Sequence, residues 1–277
     1  MIKVLFRLFS TKPAHAIGED GRMALSDHLR ELRARVLRVV VTLILAVVLA
    51  LFFFDQLYDL VYGPYRSAQE TIPDGASLAT TSGAGGGLML YLKLCGFAAI
   101  VVTSPVWLYQ IWAFILPGLH AHERKWTRVF GAIAAPLFAV GLVLGYVTLP
   151  KGLEILIGLN PEGITNLVDF NDYLQFFTRT LLVFGIAFEI PVFVVLLNLA
   201  GVVSGKQLGQ YRSWIIVGVF VFAAIATPSA DPFTMTFMAV PMVLLFLIAE
   251  VIARLNDRRR GRKSVNAGLS PDEASTL

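Results

Sequence analysis

Three carboxylates stand in surroundings that give them chemistry to do. Glu189 is the lone charge in the apolar run 181–197, LLVFGIAFEIPVFVVLL. Glu31 and Glu123 each sit among basic residues. A run as long and apolar as 181–197 reads as a membrane-spanning helix. A charge at the centre of such a helix costs roughly 2.5–3.5 kcal/mol on insertion scales, so it faces protein or water rather than lipid. Pro191, two positions on, cannot donate to the carbonyl of Ala187 and crowds it, which predicts a bend beside the glutamate. Two uses are open to Glu189. One is polar packing, by protonation or by a hydrogen bond to another helix. The other is proton carriage, as in a proton-coupled small-solute transporter.

Glu31 lies among Arg30, Arg33 and Arg35, and Glu123 lies beside Arg124 and Lys125. As exposed local ion pairs these would be worth about 0–1 kcal/mol each. As a docking site they could receive an incoming cation, because carboxylates accept guanidinium groups bidentately. Two carboxylates on separate segments suit two neighbouring arginines. Catalysis finds less support. There is no HExxH, no GxSxG and no pair of intramembrane aspartates. His120, His122 and Glu123 share one short connector and make a weak metal set, and the glycines of 83–87 read as a linker. The expectation is a protein that is not an enzyme, has no cofactor or metal and binds no nucleic acid.

The elements that position these groups follow from composition. Of 277 residues, 56% are hydrophobic and 15% charged, against about 25% charged in soluble domains. The mean hydropathy is +0.71. This describes an all-α polytopic membrane protein. Six spans are expected at 36–54, 88–115, 127–149, 173–200, 214–226 and 233–253. An amphipathic stretch with Leu25, Leu29, Leu32 and Val36 at helical spacing leads into the first. Lys93 lies near the outer end of the second, where it can snorkel. Segments 55–87 and 150–172 read as loops. The fifth span has 13 residues, about 20 Å of helix, against a hydrocarbon core of ~30 Å. Pro105, Pro136, Pro191 and Pro241 fall inside spans and predict bent helices around a concave face. Residues 1–24 read as a tail, 25–255 as the membrane domain and 256–277 as a basic disordered tail. The segment to Arg38 holds 8 Lys and Arg, the connectors 116–128 and 201–212 hold 3 and 2, and the C-terminal tail holds 6. The loops on the other side hold only Arg66 and Lys151. By the positive-inside rule, both termini are cytoplasmic in a cell membrane.

Four segments in this order resemble the TatC family, the multispanning receptor subunits of the twin-arginine protein translocase. They are HLRELRAR (28–35), SPVWLYQIWAFILPGLHAHERK (104–125), FGIAFEIPV (184–192) and ATPSAD with AVPM (226–242). The resemblance implies a receptor for twin-arginine signal peptides of folded precursors. It would act in an oligomeric complex with the single-span subunits TatA and TatB, driven by the proton-motive force. It also implies that Glu31, Arg33, Phe114 and Glu123 form the signal-peptide site, and that Glu189 and Thr227 form a polar cluster where partner helices pack. Thr227 is then the candidate partner of Glu189 within the chain. Two departures stand out: Met235 where some members carry glutamine, and a turn at Asp231 one residue longer than the family form.

Overall fold

A computed structural model describes residues 25–71, 77–119, 124–159, 165–199, 201–227 and 232–266. The elements are α1 (Leu25–Leu51), α2 (Phe54–Gln69), β1 (Ser77–Thr80), α3 (Gly86–Val102), α4 (Ser104–Leu119) and α5 (Arg124–Gly158). They continue with β2 (Asn166–Asp169), α6 (Phe170–Leu199), α7 (Gly205–Gln210), α8 (Arg212–Ala226) and α9 (Pro232–Asn266). Among the described residues four helices, α1, α5, α6 and α9, are long and apolar enough to cross a membrane. The pair α3–α4, bent by 57°, is apolar and long enough to make a fifth if the two count as one broken span. The sixth apolar segment is the 15-residue α8, about 22 Å long.

The mostly helical, polytopic architecture is therefore the one expected. Its surface is apolar: Ile44, Leu45, Val143, Ile225 and Leu244 are all exposed, as suits a wall facing lipid. At the centre is α6, which packs on α5, α9 and α3. The α5–α6 contact is backbone-close, as at small-residue interfaces in membranes. A Cβ on Gly141 would lie 2.6 Å from the Phe184 carbonyl oxygen, and one on Gly185 would lie 2.6 Å from the Phe138 ring. Gly201, with φ of 77°, ends α6 in the left-handed region, its N–H bonded to the Asn198 carbonyl at 2.9 Å.

Several expectations change. The second span is not continuous: it breaks at Thr103, just before Pro105, which has no N–H to offer the Val101 carbonyl. The Trp107 indole bridges the break by donating to the Ile100 carbonyl at 2.9 Å. Pro136, Pro191 and Pro241 lie inside helices that are not interrupted there, as proline bends within a span leave them. The segment read as the loop 55–87 begins with α2, whose buried Val61, Pro64, Tyr65 and Ala68 recur at helical spacing. Pro64 leaves the Leu60 carbonyl without its helical donor, and the Tyr146 hydroxyl supplies one at 3.0 Å. The Tyr173 hydroxyl likewise donates to the Val61 carbonyl at 2.6 Å. The segment read as the loop 150–172 starts as the end of α5 and contains β2, which pairs in parallel with β1. These elements cap one end of the bundle. At the other, basic end, α9 runs past Leu255 to Asn266.

Candidate functional site

The first candidate site lies where α1 meets α4 at the basic end. Glu31 and Arg35 are one turn apart on α1, so their side chains meet. Arg35 Nε donates to Glu31 Oε1 at 3.0 Å, and Nη2 bonds the same oxygen. Only 13% of the Arg35 side chain and 14% of the Glu31 side chain are exposed, so the pair is not the surface ion pair considered from sequence. Arg35 Nη1 then reaches Gln110 Oε1 on α4 at 3.2 Å. Phe114, one turn beyond Gln110, is half-buried on that same face of α4. Glu31 and Phe114 are thus brought to one corner by a relay through Arg35 and Gln110. Arg33 is not part of it. It sits about 200° around α1 from both Glu31 and Arg35, and it is exposed. Glu123, with His120 and His122, lies outside the described residues, as does Asp231.

Sequence reasoning missed Arg35 and Gln110 as members of this corner. The four-residue spacing of Glu31 and Arg35 was a usable signal. A lone amide inside the apolar α4 was another.

The second candidate site lies at membrane depth. Glu189 sits on α6 with both carboxylate oxygens buried and without a hydrogen-bond partner among the described residues. Thr227 does not supply one. It is buried at the end of α8, and its hydroxyl donates to the Ala223 carbonyl of its own helix at 2.8 Å. The polar neighbour is Trp112 of α4. Its ring packs on Phe193, one turn beyond Glu189 on α6, with centroids 6.4 Å apart. The Trp112 indole N–H faces the Glu189 carboxylate, buried and short of a well-formed hydrogen bond among the described residues. On the neighbouring face, Phe184, Ala187 and Phe188 of α6 pack with Ala223 of α8 and Met238 of α9, and Ala226 and Met235 join them. Glu189 therefore has a built pocket wall and an unused bonding capacity.

A third polar cluster ties the basic ends of α6 to α9 together. Glu250 of α9, 2% exposed, receives Arg212 bidentately at 2.9 and 2.8 Å, and Arg254 Nε at 2.8 Å. Asp257 accepts from the Asn198 side chain at 2.9 Å and from the Gly205 N–H at 2.7 Å. Ser204 and Gln207 form a reciprocal cap on α7. A Cβ on Gly205 would lie 2.6 Å from the Arg254 backbone nitrogen, so the start of α7 needs glycine there. The sequence reading did not use Glu250: Arg254, four residues on, was a local signal, and only its second partner Arg212 lies 38 residues away.

Residues 27–241 match the model of a family described as TatC, Sec-independent protein translocase protein. The chain is 44% identical to the Sec-independent protein translocase protein TatC of Frankia casuarinae, over 94% of this chain and 74% of that one. It is 33% identical to the TatC of Escherichia coli O6:H1, over 85% and 90%. A solved structure of a twin-arginine translocase receptor, TatC, in the detergent DDM superposes with a TM-score of 0.67. It is 30% identical to this chain and covers 82% of it and 99% of the solved chain.

Proposed function

The chain belongs to the TatC family of Sec-independent protein translocase proteins, and from that membership we propose how its two polar sites divide the work. It is a multi-pass membrane protein and the core subunit of the twin-arginine translocase. One observation carries the reading: the family match runs from residue 27 to residue 241 and so takes in Glu31, Arg33, Phe114, Glu123, Glu189 and Thr227.

In our reading the basic end faces the cytoplasm of a plasma membrane, with both termini on that side, because nineteen of 23 basic residues gather there. The corner of Glu31 and Phe114 receives the twin arginines of a signal peptide, with Glu123 as the second carboxylate, and Arg33, exposed on the opposite face of α1, meets the peptide outside that corner. Guanidinium groups entering there compete with Arg35 for Glu31. The relay through Gln110 then tells α4 that the site is filled. At membrane depth, Glu189 and the Thr227 region receive a single-span subunit, TatA or TatB. The unused carboxylate of Glu189 supports this, since a partner helix can satisfy it. The subunit performs no bond chemistry itself. The proton-motive force drives transport of the folded precursor through the oligomeric complex. A proton-coupled solute transporter is not favoured, because the chain matches a translocase family over most of its length.

The test is export. In cells without their own TatC, this chain is supplied together with the single-span subunits of its source. It should restore export of a folded reporter bearing a twin-arginine signal and not of one bearing twin lysine. Equal export of the two reporters would contradict the reading. So would failure to export either while the chain accumulates in the membrane.

A further inference from the structure

A groove of about 580 Å³ runs between α3 and α6. That volume falls within the range of roughly 300–1,000 Å³ common for small-ligand sites. Its lining includes Gly96, Ile100, Leu182 and Ile186, with Lys93 and Arg179 among them. A Cβ on Gly96 would meet nothing within 4 Å, so this part of the floor is open. The two helices start together, since the Asn171 side chain donates to the Gly86 carbonyl at 3.3 Å. From those starts, Lys93 is seven residues along α3 and Arg179 nine along α6, roughly 10 and 14 Å at 1.5 Å per residue. The cations therefore stand at similar depth. Both are exposed, and among the described residues neither has an ion pair or hydrogen bond.

Two unpaired cations inside apolar helices are costly unless they reach an interface or meet an anion. Side chains on a helix lean toward its N-terminus, which here points both of them toward the bilayer surface at the capped end. The groove continues below them as an apolar channel. Its α3 wall, from Leu92 to Ile100, is about 12 Å long. The groove is open along one side, with two cations above an apolar floor, an arrangement that suits a phosphate with an acyl chain beneath it.

We propose that this groove is a binding site for an anionic phospholipid of the leaflet at the capped end. Lys93 and Arg179 hold the phosphate, and one acyl chain lies along Gly96, Ile100 and Ile186. Nothing in the translocase reading requires a lipid here, and the site shares no residue with the corner at Glu31 or with Glu189.

Native mass spectrometry of the purified full chain tests it, with phosphatidylglycerol and phosphatidylcholine titrated separately. Phosphatidylglycerol should bind the wild type in preference. The double substitution Lys93→Gln, Arg179→Gln should weaken that binding by about thirty-fold, from about 1 kcal/mol for each cation near a lipid headgroup, and leave phosphatidylcholine unchanged. Gly96→Leu fills the floor with both cations intact and should also weaken phosphatidylglycerol. The charge-preserving pair Lys93→Arg, Arg179→Lys should bind as the wild type does. Equal binding of the two lipids overturns the proposal, as does undiminished phosphatidylglycerol binding by the double glutamine variant. Competition by glycerol phosphate at the same concentration also overturns it, by assigning the site to free phosphate. Displacement of phosphatidylglycerol by an acidic single-span helix that crosslinks at position 96 overturns it in favour of a protein partner.

Discussion

The Trp112 indole N–H is the polar group that faces the Glu189 carboxylate between α6 and α4, and among the described residues neither buried group completes a well-formed hydrogen bond. An acceptor and a donor in hydrocarbon would ordinarily satisfy one another or be satisfied by a third group. Here the two face each other short of a well-formed bond, while Thr227, the partner expected from sequence, is bonded to the Ala223 carbonyl of its own helix. The site has the form of a receptor for a polar group on another helix.

Glu189 can be tested by separating its proton from its hydrogen bonds. Glu189→Gln keeps shape and bonding capacity, and Glu189→Ala removes both. Hydrogen bonds between membrane helices are worth about 0.6–2 kcal/mol, so a contact there can form and release during transport. Gln should retain most export, and Ala should lose export along with crosslinks from position 189 to the single-span subunits. Equal inactivity of both variants with partner crosslinks intact would instead make Glu189 a proton carrier.

Glu250 holds two arginines from a buried position. Glu250→Ala leaves both without their acceptor and opens the contact between α8 and α9. The unfolding temperature in detergent should fall clearly, and Arg212→Lys, which keeps the charge but loses the bidentate fit, should lower it less. Unchanged melting in Glu250→Ala would remove this cluster from the account of how the basic end is held.

How much of this was legible in the sequence depends on range. The apolar spans and the lone Glu189 were visible because hydropathy is a local property. The broken second span was half visible: Pro105 gave the place, but not the Trp107 bond that bridges it. Helix α2 was hidden because Pro64 reads as a loop signal. What rescues the helix is the Tyr146 hydroxyl on the Leu60 carbonyl, 86 residues away. The β1–β2 pairing joins Ser77 to Asn166, and four-residue strands carry too little pattern to announce themselves. At the basic end the sequence gathered arginines around Glu31, and only the helix geometry singles out Arg35 over Arg33.

Asp169 ties the two loops of the capped end. It accepts from the Asn171 N–H at 2.7 Å, as a cap on α6, and from the Ser82 N–H at 3.1 Å and the Ser82 hydroxyl. The Ser82 hydroxyl first, then the Asn171 N–H, hold its carboxyl below the usual carboxylate range. A depressed folded value stabilises above the unfolded pKa of about 4 and is lost as pH falls through the folded value. Lowering the pH from about 5 to below 4 should therefore lower the unfolding temperature of the wild type more than that of Asp169→Asn, since asparagine also caps. An identical pH response in the two proteins would show that Asp169 does not carry the effect.

The central claim is that the basic end recognises paired arginines through carboxylates, and direct peptide binding tests it. The purified chain is titrated with a twin-arginine signal peptide and with its twin-lysine counterpart. Hydrogen bonds to charged groups are worth roughly 1.5–3 kcal/mol, so Glu31→Ala or Glu123→Ala should each weaken the twin-arginine peptide by about ten-fold or more without unfolding the protein. The twin-lysine peptide should bind weakly to all three proteins. Equal affinity for the two peptides, or undiminished twin-arginine binding when both glutamates are replaced, would contradict the account.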